Sequence, residues 1–218
     1  MMGSNPYIKK INDFKGLIYT YNCNPLIETK DKFFQDRKYI IDIGCGAGSH
    51  IVKSALIDPD LKFIGFEIRF KRLVLAATKS MQANISNVRF IQSKVENLEN
   101  WLKANTVFSL HCNFPDPWPK KRHRKHRFLN EHTLKVFYRL LTVDGDFQFK
   151  TDDSDYFFEV KELIQKGELF TICDYTENLF TSSHYNPTIT SEFETLFISK
   201  NMPIFFLRAR KTSSCPQN

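Results

Sequence analysis

Two short stretches of this sequence bring together residue types that do chemistry. The first is Asp42-Ile43-Gly44-Cys45-Gly46-Ala47-Gly48. Alternate glycines let a chain turn sharply and let a ligand approach the backbone, and a helix that follows presents its N-terminal amides at the same place. Glu67 closes the next apolar run, Phe63-Ile64-Gly65-Phe66. A carboxylate at that point can accept hydrogen bonds from both hydroxyls of a ribose. A dinucleotide fingerprint needs a third glycine where Ser49 stands. The GxGxG pattern, with an acid two residues before it, favours S-adenosylmethionine (SAM) over a nicotinamide dinucleotide. A tight strand–helix turn with Glu67 simply solvated is the plainer alternative.

The second stretch is Asn113-Phe114-Pro115-Asp116-Pro117-Trp118-Pro119, and it runs into Lys120-Lys121-Arg122-His123-Arg124-Lys125-His126-Arg127. Three prolines stiffen the loop and would hold Asp116 and Trp118 in place. The octet contains six Lys/Arg and no acid, and these six account for all but one of the net charge of +7. A cationic block directly after a fixed carboxylate suggests a reaction centre joined to a polyanion clamp, most simply for nucleic acid. A Pro-rich turn followed by a solvated charge run remains the alternative.

These residues need a scaffold. Short apolar runs at 39–43, 63–67, 88–91, 106–111, 147–150, 169–172 and 204–209 read as strands. Helical spacing covers 49–57 (with Ser49 as a possible N-cap), 69–83, 129–141 and 154–165, and Asp144-Gly145 is expected to turn into the strand at 147. Strands alternating with helices predict an α/β, Rossmann-like open sheet, doubly wound and mostly parallel, with helices on both faces and an antiparallel C-terminal strand. Residues 1–36 are expected to be an irregular N-terminal arm, 37–212 a single domain, and 213–218 a tail; 175–195 reads as loop.

The 218 residues are 42% hydrophobic and 25% charged, which excludes wholesale disorder and fibrous repeats. No apolar run reaches the roughly 20 residues of a membrane-spanning helix, and five scattered cysteines without a CxxC pair argue against a disulfide scaffold or a thiolate zinc site. His50, His111, His132 and His184 show no ligand spacing, so the expectation is a metal-independent protein of the cytoplasm.

Five stretches, in order, resemble the tRNA (guanine-N7-)-methyltransferase family (TrmB), SAM-dependent class I methyltransferases. They are Asp42 to Gly46, Ile64 to Glu67, Asn113 to His123, Phe149-Lys150-Thr151-Asp152 and Ser191-Glu192-Phe193-Glu194. The resemblance spans residues 39 to about 210, and its most specific part is PDPWPKKRH. It implies methyl transfer from SAM to N7 of the variable-loop guanosine of tRNA, with S-adenosylhomocysteine as product. By position, Asp42, Gly44, Cys45, Gly46, Glu67, Ile68, Lys94, Val95 and Asn113 would contact the cofactor. Asp116 would be the catalytic carboxylate and also touch SAM. Lys120, Asp152, Ser191, Glu192, Phe193 and Glu194 would hold the guanosine, and Lys121, Arg122, His123, Arg124, Lys125 and Arg127 would track tRNA phosphates.

This chain departs from the family in three places. Asp42 replaces a Glu one methylene longer. Lys94 occupies the place of an acid expected to bond the adenine amino group, leaving Glu96 or a backbone carbonyl to accept that bond. Ser191 stands for a Thr and keeps the hydroxyl. A methyltransferase acting on amino groups would show N-P-P-Y or D-P-P-Y where this chain reads Asn113-Phe114-Pro115-Asp116. A catalytically silent RNA-binding subunit with the same fold is the rival from another class, and SAM binding separates the two. The sequence leaves monomer, homodimer or a partner subunit open.

Overall fold

The computed structural model describes residues 6–20, 31–35 and 38–213. Its strands are β1 (Ile18–Tyr19), β2 (Tyr39–Ile43), β3 (Lys62–Glu67), β4 (Val88–Gln92), β5 (Val107–Asn113), β6 (Leu141–Thr151), β7 (Phe170–Thr176) and β8 (Phe205–Lys211). Its α-helices are α1 (Pro6–Lys10), α2 (Ser49–Ile57), α3 (Phe70–Gln82), α4 (Glu131–Leu140), α5 (Ser154–Lys166) and α6 (Glu192–Ser199). The strands form one sheet in the order β1-β4-β3-β2-β5-β6-β8-β7. All neighbours are parallel except β8, which runs antiparallel to both β6 and β7.

The centre of the sheet is covered on both faces, and its strands β2 and β3 are buried at nearly every position. Successive strand residues point to opposite faces, and the packing follows that alternation. Phe63 and Phe90 join Ile51, Ala55, Leu73 and Ala77 of α2 and α3. Ile64, Phe66 and Ile91 join Leu134, Phe137, Tyr156 and Val160 of α4 and α5. Many of the phenylalanines meet edge to face, as Phe147 does with Phe137 and Phe170 at 5.7 and 5.0 Å.

Helix starts follow side-chain chemistry. Asn130 accepts the Thr133 amide ahead of α4 and Asp153 accepts the Tyr156 amide ahead of α5. Ser191 and Glu194 close a reciprocal capping box at the start of α6. This helix falls at the end of the stretch read as loop, where aromatic and polar residues obscure the helical period.

Three further expectations change. The N-cap of α2 is Gly48, at φ +79°, and Ser49 is already helical. No turn separates α4 from β6: the strand begins at Leu141, and the pairing slips between Val107↔Leu141 and Ser109↔Asp146, which absorbs Asp144-Gly145. The arm also carries regular structure. Ile18–Tyr19 pairs parallel with β4 at Phe90 and Ile91, and Ile11 and Ile18 are buried against α3 and β4. Phe33 packs beside Tyr39 at the start of β2, with Arg89 stacked over its ring, so it lies at the amino ends of the strands, away from the glycine loop.

β3 passes under the glycine loop closely enough that only glycine fits at 65. A Cβ there would lie 2.7 Å from Cys45 Sγ and 2.9 Å from Phe90 Cδ1. Gly65→Ala is therefore expected to lower the urea unfolding free energy by about 1–3 kcal/mol, the usual cost of overpacking. Adding Cys45→Ala should recover part of that loss; strictly additive losses would show that the contact with Cys45 does not matter.

Candidate functional site

Strands β2, β3 and β4 are laid down to one side and β5 is added on the other side of β2. The order therefore reverses between β2 and β5, and a crevice opens there at the carboxyl ends of the strands. Asp42 on β2 and Asn113 on β5 meet across it, with Asn113 Nδ2 donating to Asp42 Oδ1 at 3.4 Å. His50, on the first turn of α2, places Nδ1 3.1 Å from Asp42 Oδ2. Asp42 is buried, and each of its oxygens has one of these neighbours. Behind them His111 packs edge-on to His50; burial, then the charges of His50, Lys150 and Arg208, push its pKa well down, so it stays neutral.

The glycine loop turns on positive φ at Gly44, Gly46 and Gly48. Its Cys45 amide bonds back to the Phe66 carbonyl of β3. Burial and the carboxylates of Asp42 and Glu67 raise the Cys45 thiol well above its ordinary range, so it lines the loop as a neutral group rather than a nucleophile. Glu67 is aimed by its own neighbours: Oε1 accepts the amides of Ile68 and Arg69 at 2.8 and 2.9 Å. Its other oxygen has no protein donor among the described residues.

Two adjoining cavities fill the crevice, of about 270 and about 480 Å³. Gly44, Glu67, Ile68, Asn113, Phe114 and Asp116 border both. Asp42, Cys45 and Gly46 border the smaller one, with Ser191, Glu192 and Phe193 on its far wall. Lys94, Val95 and Trp118 border the larger one. All ten positions expected to contact a cofactor thus line one continuous crevice. Lys120, Asp152 and Glu194 line neither cavity. Glu194 is buried in the α6 capping box and bonded by Lys150 Nζ at 2.8 Å.

His50, Arg69 and Arg72 line the smaller cavity although no motif singled them out. Their signals are positional: His50 lies two residues after Gly48, and Arg69, Arg72 and Lys79 recur at helical spacing after Glu67. Lys79 and Arg72 both pair with Glu192, at 3.1 and 3.7 Å, and Ser49 donates to it at 3.1 Å. These contacts tie the start of α6 to α2 and α3, so two helices distant in sequence wall the same cavity.

The loop after β5 is rigid for a specific reason. Phe114 and Trp118 both take left-handed φ, +53° and +45°, which side chains with a Cβ rarely adopt. The Phe114 amide donates to the Lys150 carbonyl at 2.8 Å, and its ring packs on Phe193 and Phe197. Trp118 is half-exposed beside the larger cavity, with the His126 and His123 rings 5.3 and 5.8 Å away. It is not core.

The basic run coils into a single 3₁₀ segment, Lys121–His126, and its members part company. Lys120, Lys121, Arg122 and Lys125 are exposed and His123 half-buried. Arg124 pairs with Asp155 at 2.8 Å. Arg127 requires a correction: expected on phosphate, it is buried, with Nε on the Pro117 carbonyl at 2.7 Å and Nη1 on Glu159 at 2.5 Å. The composition of the run suggests one continuous surface, but a 3₁₀ turn cannot keep every side chain on the same side.

The sheet order, the glycine loop at the reversal and the acid at the end of β3 define a class I methyltransferase fold. A family profile described as putative methyltransferase matches residues 36–207. A tRNA (guanine-N(7)-)-methyltransferase of Listeria monocytogenes serotype 4b is 32% identical, over 94% of this chain and 89% of that protein. The chain belongs to the tRNA (guanine-N(7)-)-methyltransferase family. It is 35% identical, over 95% of its own length, to a bifunctional glycosyltransferase/methyltransferase of Fusobacterium nucleatum, of which it spans only 33%. The 16S rRNA methyltransferase KamB shares the fold, with a TM-score of 0.58 and 15% identity over 82% of this chain and 89% of that one.

The Lys150–Glu194 pair behind the cavity sets an acid limit. Burial pushes the Glu194 pKa up, but the Lys150 ammonium, the Ser191 amide and His50 outweigh it and the net shift is downward. The stabilisation is complete above the unfolded value of about 4.3 and disappears as pH falls through the lower folded value. Glu194→Gln keeps the capping box but should lose stability at pH 7 and flatten the acid limb of stability against pH. An acid limb as steep as wild type would show that the pair does not set it.

Proposed function

We propose that the chain transfers a methyl group from SAM to N7 of guanosine in the variable loop of tRNA. The observation that carries this reading is the position of Asp116: it borders both cavities, on a loop held in a strained conformation, and shares the smaller one with Ser191, Glu192 and Phe193.

The crevice suits SAM. Glu67 presents one carboxylate oxygen with no protein donor among the described residues, suited to ribose hydroxyls. The backbone of Gly44 is bare at the cavity wall, Arg72 Nη1 lies over Gly46, and Asp42 and Asn113 stand at the reversal. Ile68, Val95 and Lys94 border the larger cavity, where adenine would lie, and Glu96 beside them can accept from its amino group. When bound, SAM supplies a methyl group activated by its sulfonium.

Guanine N7 carries a lone pair and no hydrogen, so the protein need not remove a proton before attack. Its task is alignment, and stabilisation of the positive charge that builds on the base. Asp116 serves both: its carboxylate can orient the guanine N1 and N2 donors and offset the developing charge. Ser191, Glu192 and Phe193 form the opposite wall. Trp118, half-exposed at the crevice, offers a face for a base drawn out of its stack. Among the described residues Lys121, Arg122 and Lys125 are free of the ion pairs that hold Arg124 and Arg127, and they track the phosphates.

Incubation with tritiated-methyl SAM and unmodified tRNA, followed by nucleoside chromatography, should yield labelled 7-methylguanosine. Label in another nucleoside, or none, would overturn the reading. Asp116→Asn should lower kcat about 10²–10³-fold, the scale for removing one preorganised electrostatic group; unchanged turnover would remove Asp116 from the chemistry. Replacing Lys121 or Lys125 by Ala should flatten the dependence of log K for tRNA on log salt by about one unit each. A slope unchanged in both would place the phosphates elsewhere.

A further inference from the structure

We infer that Arg127, the last cation of the basic run, is a positioning residue that holds the Asp116 loop in its working shape and does not contact RNA. The inference rests on the proposed methyl-transfer reading and adds a residue to it.

Nε, Nη1 and one face of the Arg127 guanidinium are engaged within the protein, and Nη2 is buried without a hydrogen bond among the described residues. Nε donates to the Pro117 carbonyl at 2.7 Å and Nη1 to Glu159 of α5 at 2.5 Å. Nη2 lies 3.6 Å from Asp153 Oδ1, and the plane sits 4.7 Å over the Tyr156 ring. Tyr156 is itself buried, and its hydroxyl accepts the Leu129 amide at 2.9 Å. The Arg127 side chain is only 1% exposed, so no phosphate reaches it.

The position of the Pro117 contact matters most. Pro117 lies between Asp116 and Trp118, and its carbonyl belongs to the peptide that leads into the left-handed Trp118. A non-glycine residue at positive φ persists only where its surroundings hold it there. Phe114, at the near end of the loop, is held by the Lys150 carbonyl and the α6 aromatics. At the far end Trp118 packs beside His123 and His126, the bond from Arg127 fixes the backbone, and α5 anchors Arg127 through Glu159. Lysine could keep the charge but could not span Pro117 and Glu159 while stacking on Tyr156, because only a planar fork does all three.

The test uses Arg127→Lys, Arg127→Met and Glu159→Gln in the full chain, at temperatures where each is folded. Turnover is expressed per SAM-binding site titrated, which cancels any inactive fraction. Both Arg127 variants should lose kcat by about 10- to 100-fold, as small misplacements of a reacting group do, while the salt slope of tRNA binding stays as in wild type. Glu159→Gln should lose kcat in the same direction, without any change of charge on the RNA side. A salt slope lower by about one in Arg127→Met, with kcat retained in Arg127→Lys, would make Arg127 a phosphate contact and overturn the inference. Unchanged kcat per site in both Arg127 variants would leave it a purely structural residue and overturn it equally.

A second readout does not depend on activity. The chain has two tryptophans, and Trp101 is buried. In a Trp101→Phe background, acrylamide quenching reports Trp118 alone. Arg127→Met should raise its quenching constant; an unchanged constant would overturn the inference even if wild type proved to methylate something else. Absence of 7-methylguanosine from wild type would count against the methyl-transfer reading, and the quenching result would still decide the role of Arg127.

Discussion

The reversal of strand order beside β2 is the constraint on which the rest of this structure depends. Two parallel neighbours diverge there, and their connections leave to opposite sides, so the crevice between them cannot be covered by either. A buried carboxylate, Asp42, and a buried imidazole, His50, can stand at its floor because each satisfies the other and Asn113 completes the set. Without those bonds the polar floor would be costly to bury. With them, the crevice has a fixed polar base and two anchored walls.

One wall is the loop after β5 and the other is the start of α6, and they are secured differently. The loop stores strain at Phe114 and Trp118 and is held by backbone bonds and aromatic packing. The α6 wall is held by charge. Glu192 meets Lys79 and Arg72, Lys53 reaches Thr190, and Glu194 meets Lys150. The Glu192 contacts are half-exposed and weak singly. The Lys150–Glu194 pair is buried and expensive to break from one side. Both walls therefore rest on β6, through the Lys150 carbonyl and the Lys150 ammonium, one residue serving two neighbours.

Charge is also sorted by burial. Along the sequence, the cations from Lys120 to Arg127 look equivalent. Acids on or next to α5, namely Asp153, Asp155 and Glu159, claim Arg124 and Arg127 and leave the lysines and Arg122 to solvent. The basic run is in this way both a surface and a fastening, and the division between the two falls within a single turn of chain.

The strands, the glycine loop, Glu67 and the proline-rich loop were legible in the sequence because each follows a local rule: apolar runs of strand length, glycines at a turn, an acid at a strand end, prolines that stiffen. Family membership was legible for the same reason, since its motifs are contiguous. The start of α6, strand β1 in the arm, and the cavity contacts of Arg72 and His50 were not, because each depends on a partner far along the chain: β1 on β4, α6 on α2 and α3. Arg127 shows the division most clearly. Its type and its place in a basic run are local and suggest phosphate, whereas its burial depends on Glu159 and Tyr156, in a helix distant along the chain. Local spacing determines which residues are available for chemistry; the tertiary structure alone decides which of them face the ligand, because burial and pairing are properties of neighbours that sequence order does not reveal.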